Sequence, residues 1–198
     1  MKLIAICGGI GSGKSVISHI LSLLGYEVYD CDSRAKLLMD NSEEIKTELF
    51  DYFGNEVLDS DRNINRRYLS KRIFGDIEAL NRVNSIVHPR VVSEIVSLAK
   101  NSRNDCFFFE TALPQESGLD RISDEVWLVT APVEERIARV QRRNGMSRDQ
   151  VMRRINSQDY SNIQNDNVKI IVNDGRESII NQTCNLINTI NNHKPQKL

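Results

Sequence analysis

One glycine-rich stretch near the amino terminus constrains this chain more than any other feature. Residues Gly8–Ser15 read GGIGSGKS and fit the pattern G-x-x-x-x-G-K-[ST], between a short apolar run and a helical pattern. Glycines allow the backbone to curl so that successive N–H groups point at phosphate oxygens, and the positive end of the following helix strengthens that attraction. We therefore expect Lys14 to reach the β- and γ-phosphates of a nucleotide and the Ser15 hydroxyl to ligate Mg²⁺.

Short apolar runs alternate with helical patterns along the rest of the chain. Most runs are continuously apolar rather than alternating, which is typical of strands covered by helices on both faces of a parallel sheet. The sequence therefore predicts an α/β fold with three layers, α/β/α, around a five-stranded parallel sheet. The predicted strands are Leu3–Cys7, Glu27–Tyr29, Cys106–Phe109, Val126–Thr130 and Val168–Val172.

The helical patterns carry their own start and stop signals. Ser42–Phe53 begins at a capping serine and ends before Gly54, and Ser147–Gln158 begins with a similar capping signal. Leu80–Lys100 is longer, and Pro89 is expected to interrupt this helix or to begin its second half.

The gap between the second and third predicted strands is too long for a single crossover helix. We interpret residues 33–104 as a helical insertion that caps a substrate, and residues from about 133 to 165 as an arginine-rich helical lid. The segments 1–32, 105–132 and 166–192 then form the core of a single domain.

Composition excludes several classes of partner. The 198 residues include 26 Lys and Arg and 27 Asp and Glu, and a net charge of −1 argues against a dedicated nucleic-acid binder. No apolar run approaches the ~20 residues of a membrane span. We therefore expect a protein that binds neither membrane nor nucleic acid. The cysteines are far apart and lack the C-x-x-C spacing, so we expect reduced thiols in a cytoplasmic protein. They are Cys7, Cys31, Cys106 and Cys184.

Two carboxylates, Asp30 and Asp32, follow directly after the second predicted strand. The carboxyl ends of parallel strands face the ligand crevice, where the glycine-rich loop is also expected. Phosphoryl transfer to an alcohol needs a carboxylate that orients the hydroxyl group and accepts its proton. The alternative is that one of the two caps the helix that begins near Ser33, and it applies more strongly to Asp30 than to Asp32.

Arginines cluster late in the chain. On a helix, Arg136, Arg139 and Arg143 share one stripe that is clear of the apolar face formed by Ile137 and Val140. A mobile lid can use such arginines to neutralise charge on a transferring phosphoryl group, and the alternative is a solvated face paired with neighbouring glutamates. The other arginines of the cluster are Arg142, Arg148, Arg153 and Arg154.

Other candidates are less specific. Glu110 and Glu116 lie just after the third strand, where Glu110 could hold a metal through water or act as a cap. A lone histidine such as His88 is more often structural than catalytic, and Arg66-Arg67 could contact an anionic substrate. Asn173-Asp174-Gly175 could lie beside a purine base or form a plain turn.

Together these residues resemble the dephospho-CoA kinase family, of the P-loop nucleotide-kinase type, from about Leu3 to Asn181. The glycine-rich loop alone fits many enzymes, whereas the ordered series of motifs is much more specific. After the loop comes Asp30-Cys31-Asp32, where the family usually shows Asp-Ala-Asp. The later motifs are Arg66-Arg67 followed by Ile73-Phe74, His88-Pro89, Val129-Thr130-Ala131-Pro132, Arg139, Arg143, Arg154-Ile155 with Gln158, and Asn173-Asp174-Gly175.

This resemblance implies ATP-dependent phosphorylation of the ribose 3′-hydroxyl of dephospho-CoA, the last step of coenzyme A synthesis, with Mg²⁺ held at Ser15. Asp32 would be the base, with Lys14, Arg139 and Arg143 as further catalytic residues. The residues implied for the CoA substrate are Asp32, Arg67, His88 and Glu116. Those implied for the nucleotide are Gly9, Ile10, Gly11, Ser12, Gly13, Lys14, Ser15, Val16, Asp174 and Gly175.

Two departures from the family pattern stand out. Val16 replaces the usual Thr, which leaves the metal site intact because that site needs only Ser15. The family's Pro-Leu-Leu-Phe-Glu stretch reads Ala-Leu-Pro-Gln-Glu at residues 112–116, so that Glu116 keeps the acid.

Two alternative functions use the same loop. One is a kinase for another nucleotide or nucleoside, and the other is a nucleotide-dependent switch. A guanine-nucleotide switch would carry Asn-Lys-x-Asp, which this sequence lacks. Asp51–Gly54 matches the Asp-x-x-Gly switch pattern, but it ends a predicted helix rather than a strand.

Overall fold

In a computed structural model, which describes residues 1–112 and 114–192, five parallel strands form one sheet in the order β2-β3-β1-β4-β5. This confirms the predicted α/β fold and its five strands, with ends that shift by no more than one residue. The strands are β1 Lys2–Cys7, β2 Val28–Asp30, β3 Cys106–Glu110, β4 Glu125–Thr130 and β5 Val168–Val172.

Strand β1 lies at the centre of the sheet. It pairs in parallel with β3, where Ile6 is opposite Glu110, and with β4, where Cys7 is opposite Leu128. The side chains of Ile4–Cys7 are fully buried, because helices cover both faces of the sheet, and this accounts for the continuous apolar run. The glycine-rich loop that follows β1 therefore starts at the middle of the carboxyl edge of the sheet.

Helices follow the strands and also fill the long gap between β2 and β3. Ser42 caps one of them through a hydrogen bond from the Ile45 N–H group, as predicted, and Ser147 caps another in a reciprocal capping box with Gln150. A short 3₁₀ helix covers Asn55–Val57. The α-helices are α1 Lys14–Leu23, α2 Cys31–Asn41, α3 Glu43–Phe53, α4 Arg66–Ile73, α5 Ile77–Asn101, α6 Pro114–Ser117, α7 Leu119–Ile122, α8 Val133–Asn144, α9 Arg148–Asn156 and α10 Ile179–Asn192.

The chain divides into two compact units. The first comprises residues 1–29 and the described residues from 102 onward, and it contains the glycine-rich loop. One apolar cluster joins β1, β3, β4 and β5 to helices α1 and α10. Its buried members are Ile4, Ile6, Ile17, Leu21, Cys106, Phe108, Trp127, Val129, Ile171, Ile187 and Ile190.

The second unit, Asp30–Asn101, is helical. Its own core is formed by buried aliphatic side chains such as Leu49 of α3 and Ile86 of α5. Ion pairs join its helices to one another, including Arg66 to Asp40 at 2.7 Å and Arg90 to Glu48. Because these pairs are partly exposed, each contributes at most ~1 kcal/mol, and apolar burial holds this unit together.

Pro89 does not break α5, so the expectation that it would interrupt this helix is wrong. The helix runs from Ile77 to Asn101 with Pro89 inside it, and Pro89 is exposed. The Arg90 side chain donates a hydrogen bond of 2.7 Å to the Ile86 carbonyl, which gives that oxygen a partner near the proline ring. Buried residues on either side of the proline, among them Val87 and Val91, keep the helix packed through this position.

None of the helices within residues 1–112 and 114–192 combines the length and the apolar character that crossing a membrane requires.

The buried Trp127 provides a test of the core of the first unit. Its indole N–H group donates a hydrogen bond of 2.6 Å to Glu125 Oε1, and Trp127 itself is fully buried. Trp127→Phe leaves a void and a buried carboxylate oxygen without that donor, so we expect a loss of ~2–4 kcal/mol in the free energy of unfolding. Urea unfolding followed by far-ultraviolet circular dichroism measures it. Adding Glu125→Gln should recover part of the loss, and a loss below ~1 kcal/mol in Trp127→Phe would contradict the arrangement.

Candidate active site

The glycine-rich loop Gly8–Ser15 turns from β1 directly into helix α1. Gly13 lies at the N-cap of α1 with a left-handed φ of 107°, and Gly11 has φ 76°. A Cβ atom at Gly13 would lie 2.2 Å from the Asn173 amide nitrogen, and one at Gly11 would lie 2.6 Å from the Arg136 carbonyl oxygen. Only glycine satisfies both the backbone angle and the close approach at these two positions.

Several donors of this loop are open. Across the described ranges, the N–H groups of Gly11, Gly13 and Ser15 donate to no acceptor. The Ser12 hydroxyl is buried and also lacks a partner in the described part of the chain. Lys14 Nζ reaches back to the Gly8 carbonyl at 2.8 Å. Open amides at a helix N-terminus beside a lysine are the kind of donors that bind phosphate in proteins, and for this loop that role stays a prediction.

Ile10 differs from its neighbours in the loop because its N–H group is already engaged. That group donates to Gln158 Oε1 at 2.8 Å, and Arg136 Nε donates to the Ile10 carbonyl at 2.9 Å. The Ile10 side chain packs against the apolar cluster of α8 and α9 that includes Val140 and Val151. The loop is therefore attached to the arginine-bearing helices through this residue.

The predicted arginines are placed differently from one another. Arg139 approaches the loop carbonyls of Gly11 and Ser12 at 3.4 and 3.5 Å, and it also pairs with Glu135. Arg143 instead donates to the Asn144 side chain at 2.8 Å, in an exposed position. The structure thus brings Arg139 to the loop and leaves Arg143 on the surface.

Arg136 contacts the loop more closely than either arginine that the sequence singled out for catalysis. Its Nη2 atom is buried without a hydrogen-bond partner among the described residues, and it lies where a Cβ atom at Gly9 would be, at 2.0 Å. Burial lowers the pKa of its guanidinium, which still carries its charge at neutral pH. The sequence pattern placed Arg136 on the arginine stripe but gave it no separate role.

The turn after β5 also contacts the loop. Asn173 donates from its side-chain amide to the Ser12 carbonyl at 2.8 Å, and its own carbonyl accepts from Arg139 at 3.0 Å. Asp174 accepts from the Arg176 N–H group at 2.9 Å, and this hydrogen bond lowers the pKa of the Asp174 carboxyl. Asp174 and Gly175 thus shape a turn, and Asn173 connects that turn to the loop.

A carboxylate at the end of β3 faces the same helix. Glu110 Oε2 accepts a hydrogen bond of 2.6 Å from the Ser18 hydroxyl, one turn after Ser15 on α1. The Ser15 hydroxyl is exposed and has no partner in the described part of the chain. Residues 1–112 and 114–192 contain no group of three or more His, Cys, Asp or Glu side chains that would hold a metal by itself. A bound Mg²⁺ here would rely on one or two protein oxygens together with the phosphates, which matches its usual coordination.

In the helical unit, the two aspartates have separate roles. Asp30 is the N-cap of α2, where its carboxylate accepts from the N–H groups of Asp32 and Ser33 at 3.0 and 3.1 Å and from the Ser33 hydroxyl. Asp32 lies in the first turn of α2 and is exposed, and no hydrogen bond within the described ranges uses its carboxylate. In the same unit, Arg67 is exposed on α4 and His88 is half-buried on α5.

The other predicted residues of the first unit lie outside the loop contacts described above. Glu116 is exposed in α6, and Leu113 of the stretch 112–116 lies outside the described residues. Val16 is exposed on α1. Burial raises the pKa of the Cys7 thiol, just before the loop, to about 12, so that thiol stays neutral. Cys31 and Cys106 are also buried, and neither forms a disulfide.

The fold and the loop define a P-loop protein that binds nucleoside triphosphates, with the sheet order β2-β3-β1-β4-β5. Solved kinases share this fold. A dephospho-CoA kinase from Campylobacter jejuni has a TM-score of 0.65 at 22% identity and covers 95% of this chain and 96% of its own. A shikimate kinase from Acinetobacter baumannii, in complex with shikimate, has a TM-score of 0.53 at 14% identity and covers 99% and 96%.

Sequence comparison is more specific than the fold. The family model for dephospho-CoA kinase matches residues 2–178. A dephospho-CoA kinase from Dehalococcoides mccartyi is 39% identical over 176 residues, which cover 87% of this chain and 88% of that protein. One from Bacteroides fragilis is 36% identical over 186 residues and covers 93% and 90%. The crystal structure of TT1252 from Thermus thermophilus is 30% identical, with a TM-score of 0.79 over 98% of both chains.

The chain belongs to the dephospho-CoA kinase family, which confirms the resemblance seen in its motifs. It is an ATP-dependent kinase that phosphorylates the 3′-hydroxyl of dephospho-CoA in coenzyme A biosynthesis.

Substituting Gly11 tests how closely the loop and α8 fit together. A Cβ atom in Gly11→Ala would collide with the Arg136 backbone, so we expect at least ~10-fold weaker binding of a non-hydrolysable ATP analogue, measured by calorimetry. Gly75→Ala is the matched control, because Gly75 has nearly the same φ, 77°, but nothing within 4 Å of the added atom. Unchanged affinity in Gly11→Ala would contradict the fit.

Proposed function

We propose that the loop Gly8–Ser15 holds the β- and γ-phosphates of ATP while Asp32 acts as the base toward dephospho-CoA. The ribose 3′-oxygen forms a bond to the γ-phosphorus, the bond from that phosphorus to the β–γ bridging oxygen breaks, and ADP leaves. The hydroxyl proton passes to the Asp32 carboxylate. The observation that carries this proposal is the set of open N–H groups of Gly11, Gly13 and Ser15 at the start of α1.

The donor set of the loop fits a magnesium ion bound with the nucleotide. We propose that the exposed Ser15 hydroxyl ligates it, and that Glu110, positioned by Ser18, holds it through water. When bound, Mg²⁺ neutralises negative charge on the phosphate oxygens. Lys14 adds a second positive charge from the protein to the same phosphates.

Two observations support Asp32 over Asp30 as the base. The Asp30 carboxylate is occupied by two backbone amides and a hydroxyl, whereas the Asp32 carboxylate is exposed and takes part in none of the hydrogen bonds of the described residues. The family resemblance assigns the base to the same position.

Positive side chains are proposed to act on both substrates. The contacts of Arg139 with the loop support a role for Arg139 at the transferring phosphoryl group. We assign Arg143 to the same helical lid, and its exposed side chain would have to move toward the loop to act there. Helix α4 carries four basic and no acidic residues, which favours the anionic CoA portion near Arg67. We further propose that His88 and Glu116 contact that portion and that Asp174 and Gly175 border the nucleotide base. We also propose that the enzyme is cytoplasmic, which is supported by four cysteines that form no disulfide.

The paired aspartates give a matched test of the base. Asp32→Asn should lower kcat by at least ~100-fold, because an amide cannot accept the proton, while affinity for ATP changes less than ~3-fold. Asp30→Asn should stay within ~3-fold of wild-type kcat, since asparagine also caps helices well. Steady-state kinetics with calorimetric ATP binding decide between them. A large loss of kcat in Asp30→Asn with none in Asp32→Asn would reverse the assignment.

A coupled assay of ADP release tests the loop and the acceptor together. Lys14→Ala should abolish transfer to dephospho-CoA, leave the circular dichroism spectrum unchanged and shift the unfolding midpoint by no more than ~4 °C. It removes a phosphate contact and one hydrogen bond to the Gly8 carbonyl but no core packing. Wild-type enzyme should turn over with dephospho-CoA and not with nucleoside monophosphates. Full activity in Lys14→Ala would refute the loop assignment.

A further inference from the structure

The peptide groups on both sides of Ile10 are held by side chains from the segment that carries the arginines. Gln158 accepts the Ile10 N–H group at 2.8 Å, and Arg136 donates to the Ile10 carbonyl at 2.9 Å. The side chain of Ile10 packs on the buried cluster of Ile137, Val140 and Val151. Ile10 is thus fixed at three points, all of them within residues 136–158.

Gln158 is itself held in place by its neighbours. The Gln115 side chain donates to the Asp159 carbonyl, and the Tyr160 hydroxyl donates to the Ala112 carbonyl at 3.0 Å. These bonds attach the chain on the carboxyl side of Gln158 to the segment that follows β3. The backbone next to Gln158 is therefore fixed by hydrogen bonds, and this holds the Gln158 side-chain oxygen toward the loop.

Other side chains bond the loop on either side of Ile10, at the carbonyls of Gly8, Gly11 and Ser12, whereas the peptide groups of Ile10 itself are bonded by Gln158 and Arg136. Within Gly8–Ser12, the one backbone hydrogen bond among the described residues joins the Ser12 N–H group to the Gly9 carbonyl at 3.0 Å. Glycines at 8, 9 and 11 allow rotation of the peptide groups on either side of Ile10 at small steric cost. A rotation there would also redirect the neighbouring N–H group of Gly11, which is one of the open donors.

We propose that Gln158 and Arg136 are positioning residues that clamp Ile10 and so hold the loop in the conformation that receives the triphosphate. This proposal rests on the proposed function, in which the loop binds the β- and γ-phosphates. The clamp connects helices α8 and α9 to nucleotide affinity without either side chain contacting the reacting atoms. Arg139 and Arg143 then act from a segment that is anchored at the loop by Ile10.

Three variants of the full-length enzyme test the clamp. Gln158→Ala removes the acceptor of the Ile10 N–H group, and Gln158→Glu keeps an oxygen acceptor at the same reach. Gln164→Ala is the matched control, since Gln164 is exposed on the same loop and its side chain makes no hydrogen bond in the described part of the chain. The readouts are hydrogen exchange of the Ile10 amide by nuclear magnetic resonance, calorimetric binding of a non-hydrolysable ATP analogue, and the KM for each substrate.

We expect Gln158→Ala to exchange the Ile10 amide at least ~10-fold faster and to bind the ATP analogue ~5- to 10-fold more weakly. The KM for ATP should rise by a similar factor, while the KM for dephospho-CoA stays within ~2-fold. Gln158→Glu should restore slow exchange of the Ile10 amide, and it is judged on that readout alone because its charge repels the triphosphate. Gln164→Ala should match wild type in every readout.

Unchanged amide exchange in Gln158→Ala, or faster exchange with unchanged affinity for the analogue, would overturn the clamp. So would fast exchange in Gln158→Glu. If Gln158→Ala does not fold, Gln158→Met, which keeps the length of the side chain and removes the acceptor without changing its charge, should speed exchange of the Ile10 amide and weaken analogue binding by the same factors. Unchanged exchange or unchanged binding in Gln158→Met would again overturn the proposal. Failure of the wild-type enzyme to bind the analogue would instead refute the proposed function of the loop, so the two failures are distinguishable.

Discussion

The backbone N–H groups at the start of helix α1 are the constraint on which the rest of this enzyme depends. A helix leaves its first donors without internal partners, and here those of Gly11, Gly13 and Ser15 also find none in the neighbouring described chain. Such donors stay open only where an anion or water can meet them. The central place of β1 in the sheet puts them at the middle of its carboxyl edge, where strands on both sides can supply further groups.

The surroundings of the loop keep these donors available. Asn173 and Arg139 donate hydrogen bonds to the carbonyl oxygens of Ser12 and Gly11. These bonds engage carbonyl groups of the loop and leave the N–H groups of Gly11, Gly13 and Ser15 open among the described residues. Both peptide groups of Ile10 are hydrogen-bonded, and its partly buried side chain packs on the apolar cluster of α8 and α9, which fixes the loop at this residue. Helices α8 and α9 therefore have two roles. They carry the arginines assigned to the lid, and they pack against the loop at Ile10.

Sequence patterns predicted the elements that local signals determine. The five strands, the caps at Ser42 and Ser147 and the loop itself all follow from residue type and spacing. The effect of Pro89 was predicted wrongly, because packing on both sides of the proline outweighed its local cost. The close contact of Arg136 with the loop was not predicted either. A helical stripe shows which arginines share a face, but it does not show which of them meets a loop more than a hundred residues earlier in the chain. Gln158 and Asn173 were visible as members of the family motifs, and their hydrogen bonds to the loop emerged from the tertiary structure.

The most direct test of this account is the response of the loop amides to a nucleotide. Amide chemical shifts in a ¹⁵N–¹H spectrum can be followed while ATP with Mg²⁺, and separately adenosine, is added to the enzyme. We expect the signals of Gly11, Gly13 and Ser15 to move strongly with ATP and to remain in place with adenosine, because these N–H groups bind the phosphates. Signals that do not move with ATP, or that move equally with adenosine, would contradict it.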